Sequence, residues 1–241
     1  MALSLPEVID GIAFVLFLAL SLGYHVFYIV LVRRNPSWSA RVRMARHRLD
    51  WIEAVVKRGE RIMAVQALRN LIMTNTFLAS TMLLVIAFLA QFVIGPSQTT
   101  AFHRGTDSLW YGGTPVEVKG VLLLLLYTLA FMMFLTSLRT LNHLSLLVGN
   151  EPDQLRATEE RDPILFLGRK LNHVELMTTY GRRSVYYSLP VFAWFYSPWL
   201  FMVVAIGVWV FFILITDFVR PSSREAATAS AGSSSVAPGP K

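Results

Sequence analysis

The stretch Ala64-Val-Gln-Ala-Leu-Arg69-Asn70-Leu-Ile-Met-Thr-Asn75-Thr-Phe-Leu-Ala-Ser80-Thr81 decides the fold. It begins as a polar helix and passes without a break into the apolar run Met82 to Ile94. Such a helix starts in water and ends in hydrocarbon. It puts Gln66, Arg69, Asn70 and Asn75 at or just inside a membrane surface, where polar groups are costly and are usually held against protein.

Composition points the same way. The chain has 241 residues, 54% hydrophobic and 15% charged, with a mean hydropathy of +0.51. A soluble domain would be about 25% charged. The apolar residues gather in long runs, so the expected class is all-α: a polytopic membrane helical bundle with about four transmembrane helices plus cytoplasmic amphipathic or interfacial helices. There is no cysteine. That excludes disulfides, thiolate metal sites and iron–sulfur clusters.

Working outward, the spans are expected over 8–32, 71–94, 121–148 and 185–218. The cytoplasmic segments are then 33–63 and 149–183, the outer loop is 95–119, and the Ser-, Ala-, Gly- and Pro-rich tail over 221–241 reads as disordered. The first span would be about 37 Å of helix, enough to cross about 30 Å of hydrocarbon. It lacks the basic start of a signal peptide and reads as a retained anchor. In the first cytoplasmic segment, Val42, Ala45, Leu49, Ile52 and Val56 form one apolar stripe, with Arg43, Arg46, Asp50 and Lys57 elsewhere on the wheel. The plain expectation is a helix lying among lipid headgroups; the sharper one is a surface for a soluble partner. Gly59 marks a break.

Gly95-Pro96 stops the second span, and Trp110-Tyr111 in the following loop suits an aromatic belt. Gly149-Asn150 ends the third. Asp162-Pro163 reads as an N-cap with proline at the first helical position, opening a short helix that Gly181 closes. Pro190 and Pro198 make the last span kinked or two-part.

Nine basic residues lie between Arg33 and Arg61 and seven between Arg139 and Arg183, but only Arg104 and Lys119 lie in the loop between the second and third spans. The positive-inside rule puts both large loops in the cytoplasm. The expected location is a plasma (inner) membrane, multi-pass, with both termini outside. The formal charge of +7 then follows topology, and nucleic acid is not expected.

This orientation brings Tyr24, His25, Arg69, Asn70, Asn75, Arg139 and His143 to similar depth, and Arg183 enters from the same side. Two readings stay open. One is a hydrogen-bonded network that holds the bundle together. The other is a cytoplasm-facing cationic cavity for an anion, a lipid phosphate or a carboxylate. No Asp or Glu lies in the spans at that depth, since Asp10 and Asp217 are at the outer ends. The same fact argues against a carboxylate proton relay. His25 and His143 are a candidate haem pair. A zinc site from His25, His143 and His173 lacks ligand spacing. There is no P-loop, GxGxxG, HExxH or Ser-His-Asp pattern, so no catalytic residue is assigned.

Gly23-Tyr24-His25, the stretch from Ala64 to Asn70 with Ile72-Met73 and Thr76-Phe-Leu-Ala-Ser80-Thr81, and Arg183-x3-Tyr187-x2-Pro190-x3-Trp194 with Pro198 carry a family likeness. The chain resembles the membrane family catalogued as domain-of-unknown-function family 599, found in bacteria and plants. The likeness runs from about Ile9 to Phe218. It implies an integral membrane protein of about four spans with no established activity, and it transfers no catalytic residue. It adds weight to Tyr24, His25, Arg69 and Asn70 as shared positions. The expected function is an accessory, scaffold or assembly subunit. The alternatives are a small-anion or lipid carrier and a haem-binding electron carrier. Expected partners are membrane lipids, other membrane-protein subunits or a second copy.

Overall fold

The computed structural model describes residues 5–34, 40–94, 116–150 and 162–213, with part of the first helix described by its backbone alone. These residues form six helices: α1 (Leu5–Arg34), α2 (Ala40–Arg58), α3 (Arg61–Ile94), α4 (Val116–Gly149), α5 (Pro163–Trp194) and α6 (Pro198–Phe211). No strand occurs among the described residues.

Two stretches, Arg61–Val93 and Val118–Gly149, are long and apolar enough to cross a membrane. Only 17% and 28% of the residues in their most apolar windows are buried. The core helix of a soluble protein would be mostly buried; these two give one face to the core and leave much of their apolar surface outward. Phe77, Leu84, Phe88, Leu125 and Leu146 all point outward.

Local chemistry sets the boundaries. Gly59 has φ +70° and follows the last residue of α2. The Glu60 N–H donates to the carbonyl of Val55 at 3.3 Å, closing a Schellman-type end that favours glycine at this position. The expected break at Gly59 is there. Asp162 caps α5 as its sequence suggests: its carboxylate accepts from the Ile164 N–H at 3.0 Å, with Pro163 next. α4 ends at Gly149.

Gly181 does not end a helix. α5 runs unbroken for 32 residues, through Gly181 and through Pro190. Gly181 is buried against Phe134 of α4, where an added Cβ would stand 2.9 Å from the ring. Its absent side chain permits close helix approach, so it is a contact residue and not a stop.

The last expected span is two-part, one of the two forms its prolines suggested: α5 ends at Trp194 and α6 begins at Pro198. Ser197 is extended (φ −165°, ψ 143°), as a residue before proline prefers, and its hydroxyl accepts from the Trp199 N–H at 3.2 Å. α6 then folds back along α5. Trp194 meets Phe201 at 5.0 Å between ring centroids, while Tyr186 and Tyr187 meet Phe212 at 5.6 and 5.5 Å. Residues near both ends of the pair are in register, so α5 and α6 are an antiparallel hairpin. α1 packs on this hairpin through Phe14, Phe17 and Ala13.

α2, expected to lie among headgroups, packs on protein along one face. It stands antiparallel against the first half of α5: Arg41 lies over the Tyr180 ring, and Leu49 lies against Gly168. Its apolar face, Ile52 and Val55, enters a core with Ala64 and Leu68 of α3, Leu141 and Leu144 of α4, and Leu167 and Leu171 of α5. Of the expected apolar stripe, Ile52 is buried by protein and Val42, Ala45, Leu49 and Val56 are half-buried. A second core joins α3, α4 and α5 around Met82, Leu123, Phe134 and Val191.

Candidate functional site

Polar side chains inside the bundle occur in layers. At one end, Asp10 of α1, Lys119 of α4 and Trp194 of α5 are all nearly fully buried. The Trp194 indole N–H donates to the Asp10 carboxylate at 3.1 Å. The Lys119 ammonium donates to the Trp194 carbonyl at 3.1 Å and lies 5.0 Å from the centre of its ring. Asp10 and Lys119 also attract each other through charge. Three helices are fastened here. Asp10 and Lys119 share a depth in the sequence-based topology and carry opposite charge, which was the available signal for the pair.

Midway, the Ser188 hydroxyl donates to Tyr127 Oη at 3.0 Å. Further along, Asn75, Ser137 and Thr178 join α3, α4 and α5. The Thr178 hydroxyl donates to Asn75 Oδ1 at 3.0 Å, Ser137 Oγ lies 2.9 Å from Thr178 Oγ1, and Asn75 Nδ2 donates to the Leu71 carbonyl at 3.0 Å.

Of the residues expected to cluster, Asn75 and Arg183 are buried. Asn75 belongs to the network just described. Arg183 lies over the Phe212 ring at 5.5 Å, in the α5–α6 hairpin. Arg69 and Asn70 are exposed on α3, and Arg139 and His143 are exposed on α4. These four therefore do not line an enclosed interior, and His143 does not point into the bundle. The side chains of Tyr24 and His25 lie outside the described residues, as do Trp110-Tyr111, 95–115, 151–161 and the tail. Among the described residues no group of three His, Asp or Glu has a geometry that would hold a metal ion.

The concave feature with convergent polar groups lies elsewhere. A cleft of about 360 Å³ runs between α2 and α5, and its polar lining includes Arg41, Arg48, Arg169, Asn172, His173 and Glu175. The Arg48 Nε–H donates to Asn172 Oδ1 at 2.7 Å. Burial pulls the Arg48 guanidinium below its usual pKa; the Glu175 carboxylate opposes this, and the nearby charge of Arg41 adds to it. Glu175 in turn pairs with Arg182 at 3.0 Å. The sequence showed α2 as basic. It gave no sign that α2 would pair with α5, because that contact joins residues over 120 apart.

The family model for proteins of unknown function DUF599 matches residues 12–222. The chain therefore belongs to the DUF599 family, and the likeness read from its second span is that of a true member. No curated protein and no solved structure matched.

Proposed function

We propose that the chain is a non-catalytic integral membrane protein, an accessory, scaffold or assembly subunit that presents a folded helical cap to the cytoplasm. One observation carries the reading. α3, α4 and α5 have 34, 34 and 32 residues, about 50 Å of helix against about 30 Å of hydrocarbon. Their projecting ends close with α2 around Ile52, Leu68, Leu144 and Leu167 and expose polar residues such as Gln66, Arg69, Arg139 and His143 beside apolar ones such as Ile62 and Leu146, whereas the outward residues over 83–88 and 121–135 are all apolar. A water-facing cap on a lipid-facing stem accounts for both.

The hairpin alters the expected passage. In this reading α5 and α6 each cross, five passages in place of the expected four; the 14 residues of α6 make about 21 Å, so its passage draws on the apolar sequence up to Ile215 as well. The amino terminus then lies outside and the carboxyl terminus in the cytoplasm of a cell lined by a plasma membrane. Arg220 and Arg224 beyond the hairpin suit that side. The chain has no cysteine, so single-cysteine accessibility is a clean test. Ser4→Cys is expected to react in intact cells, and Ser223→Cys only after permeabilisation. Labelling of Ser223→Cys from outside rejects the five-crossing passage. For the accessory role, purification in mild detergent is expected to recover a reproducible partner or a defined oligomer; a monodisperse monomer with no such partner defeats it.

A further inference from the structure

We propose that the cleft between α2 and α5 is a binding site for a phosphate group, delivered by an anionic phospholipid headgroup or as free phosphate. The proposal rests on the membrane placement given above. Three guanidiniums, Arg41, Arg48 and Arg169, and the His173 imidazole line the cleft against the one carboxylate of Glu175. That carboxylate is already engaged by Arg182. By count of charged side chains the lining is cationic, and Arg48 in it is partly buried. A guanidinium fork matches two phosphate oxygens at once, which an ammonium does not.

The backbone field has the same sign. α2 has no acidic residue in its first turn, and its N-terminal end, where the helix dipole is positive, is the end that carries Arg41 beside the cleft. Lys57 and Arg58 in the last turn are placed favourably; Arg41 and Arg43 in the first turn are not. A bound anion would offset that unfavourable arrangement.

Depth selects phosphate among anions. Arg41 lies over Tyr180, two residues beyond Thr178, and Thr178 bonds Asn75 and Ser137. Those residues stand where the apolar runs of α3 and α4 give way to polar sequence. In the proposed placement the mouth of the cleft is therefore level with the cytoplasmic headgroups, where the abundant anion is a lipid phosphate.

The test uses the full-length protein in neutral detergent. It is titrated with phosphatidylglycerol, with phosphatidylcholine and with inorganic phosphate, reading thermal stability and retained ligand by native mass spectrometry. Saturable binding of phosphatidylglycerol is expected, with little from phosphatidylcholine. Arg41→Gln with Arg169→Gln is expected to weaken it about tenfold or more, as loss of charge-assisted bonds does. The charge-matched pair Arg46→Gln with Lys57→Gln is expected to bind as the native chain does. Saturable binding of inorganic phosphate, lost in the same cleft pair, identifies free phosphate as the source; binding of the lipid alone identifies the headgroup. If the cleft pair does not fold by circular dichroism, the exposed Arg169→Gln alone is read in the same way. Equal weakening by both pairs means diffuse surface charge, and no saturable response to either probe means no site; each overturns the proposal. Extraction by alkaline carbonate tests the membrane placement separately. Release rejects that placement, while a retained protein that ignores phosphate rejects only the site.

Discussion

The Thr178 hydroxyl donates to Oδ1 of Asn75 at 3.0 Å, joining residues 103 apart in sequence. Both are buried, and Ser137 completes the layer. In lipid an unmatched amide oxygen has no water to turn to, but interhelical hydrogen bonds in membranes are still modest, about 0.6 kcal/mol on average and up to about 1.7. Thr178→Val keeps the shape and removes the donor. It is expected to lower stability by about 1 kcal/mol, and the Asn75→Ala, Thr178→Val double variant should fall short of the sum of the singles. A mixed-micelle unfolding titration reads both; strict additivity would mean that the pair is not coupled.

The Asp10–Trp194–Lys119 layer should respond more sharply. Removing one member of a buried charge pair strands the other and typically costs about 3–5 kcal/mol, while replacing both is often nearly neutral. Lys119→Met alone is therefore expected to be poorly folded, and so is Asp10→Leu alone. Lys119→Met combined with Asp10→Leu is expected to recover much of the loss in yield of monodisperse protein. No recovery in the double variant would mean that the charges do not compensate each other.

These two layers also show what the sequence could and could not carry. Period and hydropathy placed α3 and α4 closely, because an apolar run of that length has few other uses. Asp162-Pro163 and Gly59 were legible because caps and breaks depend on a few adjacent residues. Gly181 was not, and of the α5–α6 turn only the division at the prolines was, not the reversal of direction. Glycine ahead of the pair Arg182-Arg183 looks like a stop, and only the Phe134 ring across the interface shows that it is a close approach. Pro190 and Pro198 look alike in sequence, yet α5 passes through one and stops short of the other, where Ser197 supplies a cap. The expected polar cluster assumed that similar depth means mutual contact. Depth was read from the spans, but the rotation of each helix was not, and rotation puts Arg69 and Arg139 outward while Asn75 turns inward.

The glycine contacts give a graded prediction. An added Cβ at Gly181 meets the ring of Phe134, itself fully buried, at 2.9 Å; one at Gly120 meets only the Val93 Cγ2 methyl, at 2.7 Å. Val93 is half-buried near the end of α3 and has room to rotate. Gly181→Ala is expected to cost about 1–3 kcal/mol, the usual range for overpacking. Gly120→Ala should cost less, because its neighbour yields. The reverse order in thermal unfolding would mean that the α4–α5 interface is slacker than its packing indicates.

Phe212 closes the hairpin and provides the last test. It is almost fully buried, with Tyr186, Tyr187 and the Arg183 guanidinium against its ring. In a water-soluble core, Phe→Ala costs about 3–5 kcal/mol, part of it transfer from water. In the proposed membrane placement lipid removes most of that transfer part and leaves dispersion, cavity and the contact of cation with ring. Phe212→Ala is therefore expected to cost less, about 1–3 kcal/mol. Phe212→Leu refills most of the space without supplying a π face for Arg183, so it should fall between the alanine variant and the native chain. Phe212→Tyr keeps the ring and should lie nearest the native value. The order Ala, Leu, Tyr, read as midpoint in a denaturing-detergent titration, tests the hairpin directly. Were Phe212→Ala silent, α6 would not be packed against α5 at this level, and the returning helix would lose its main support.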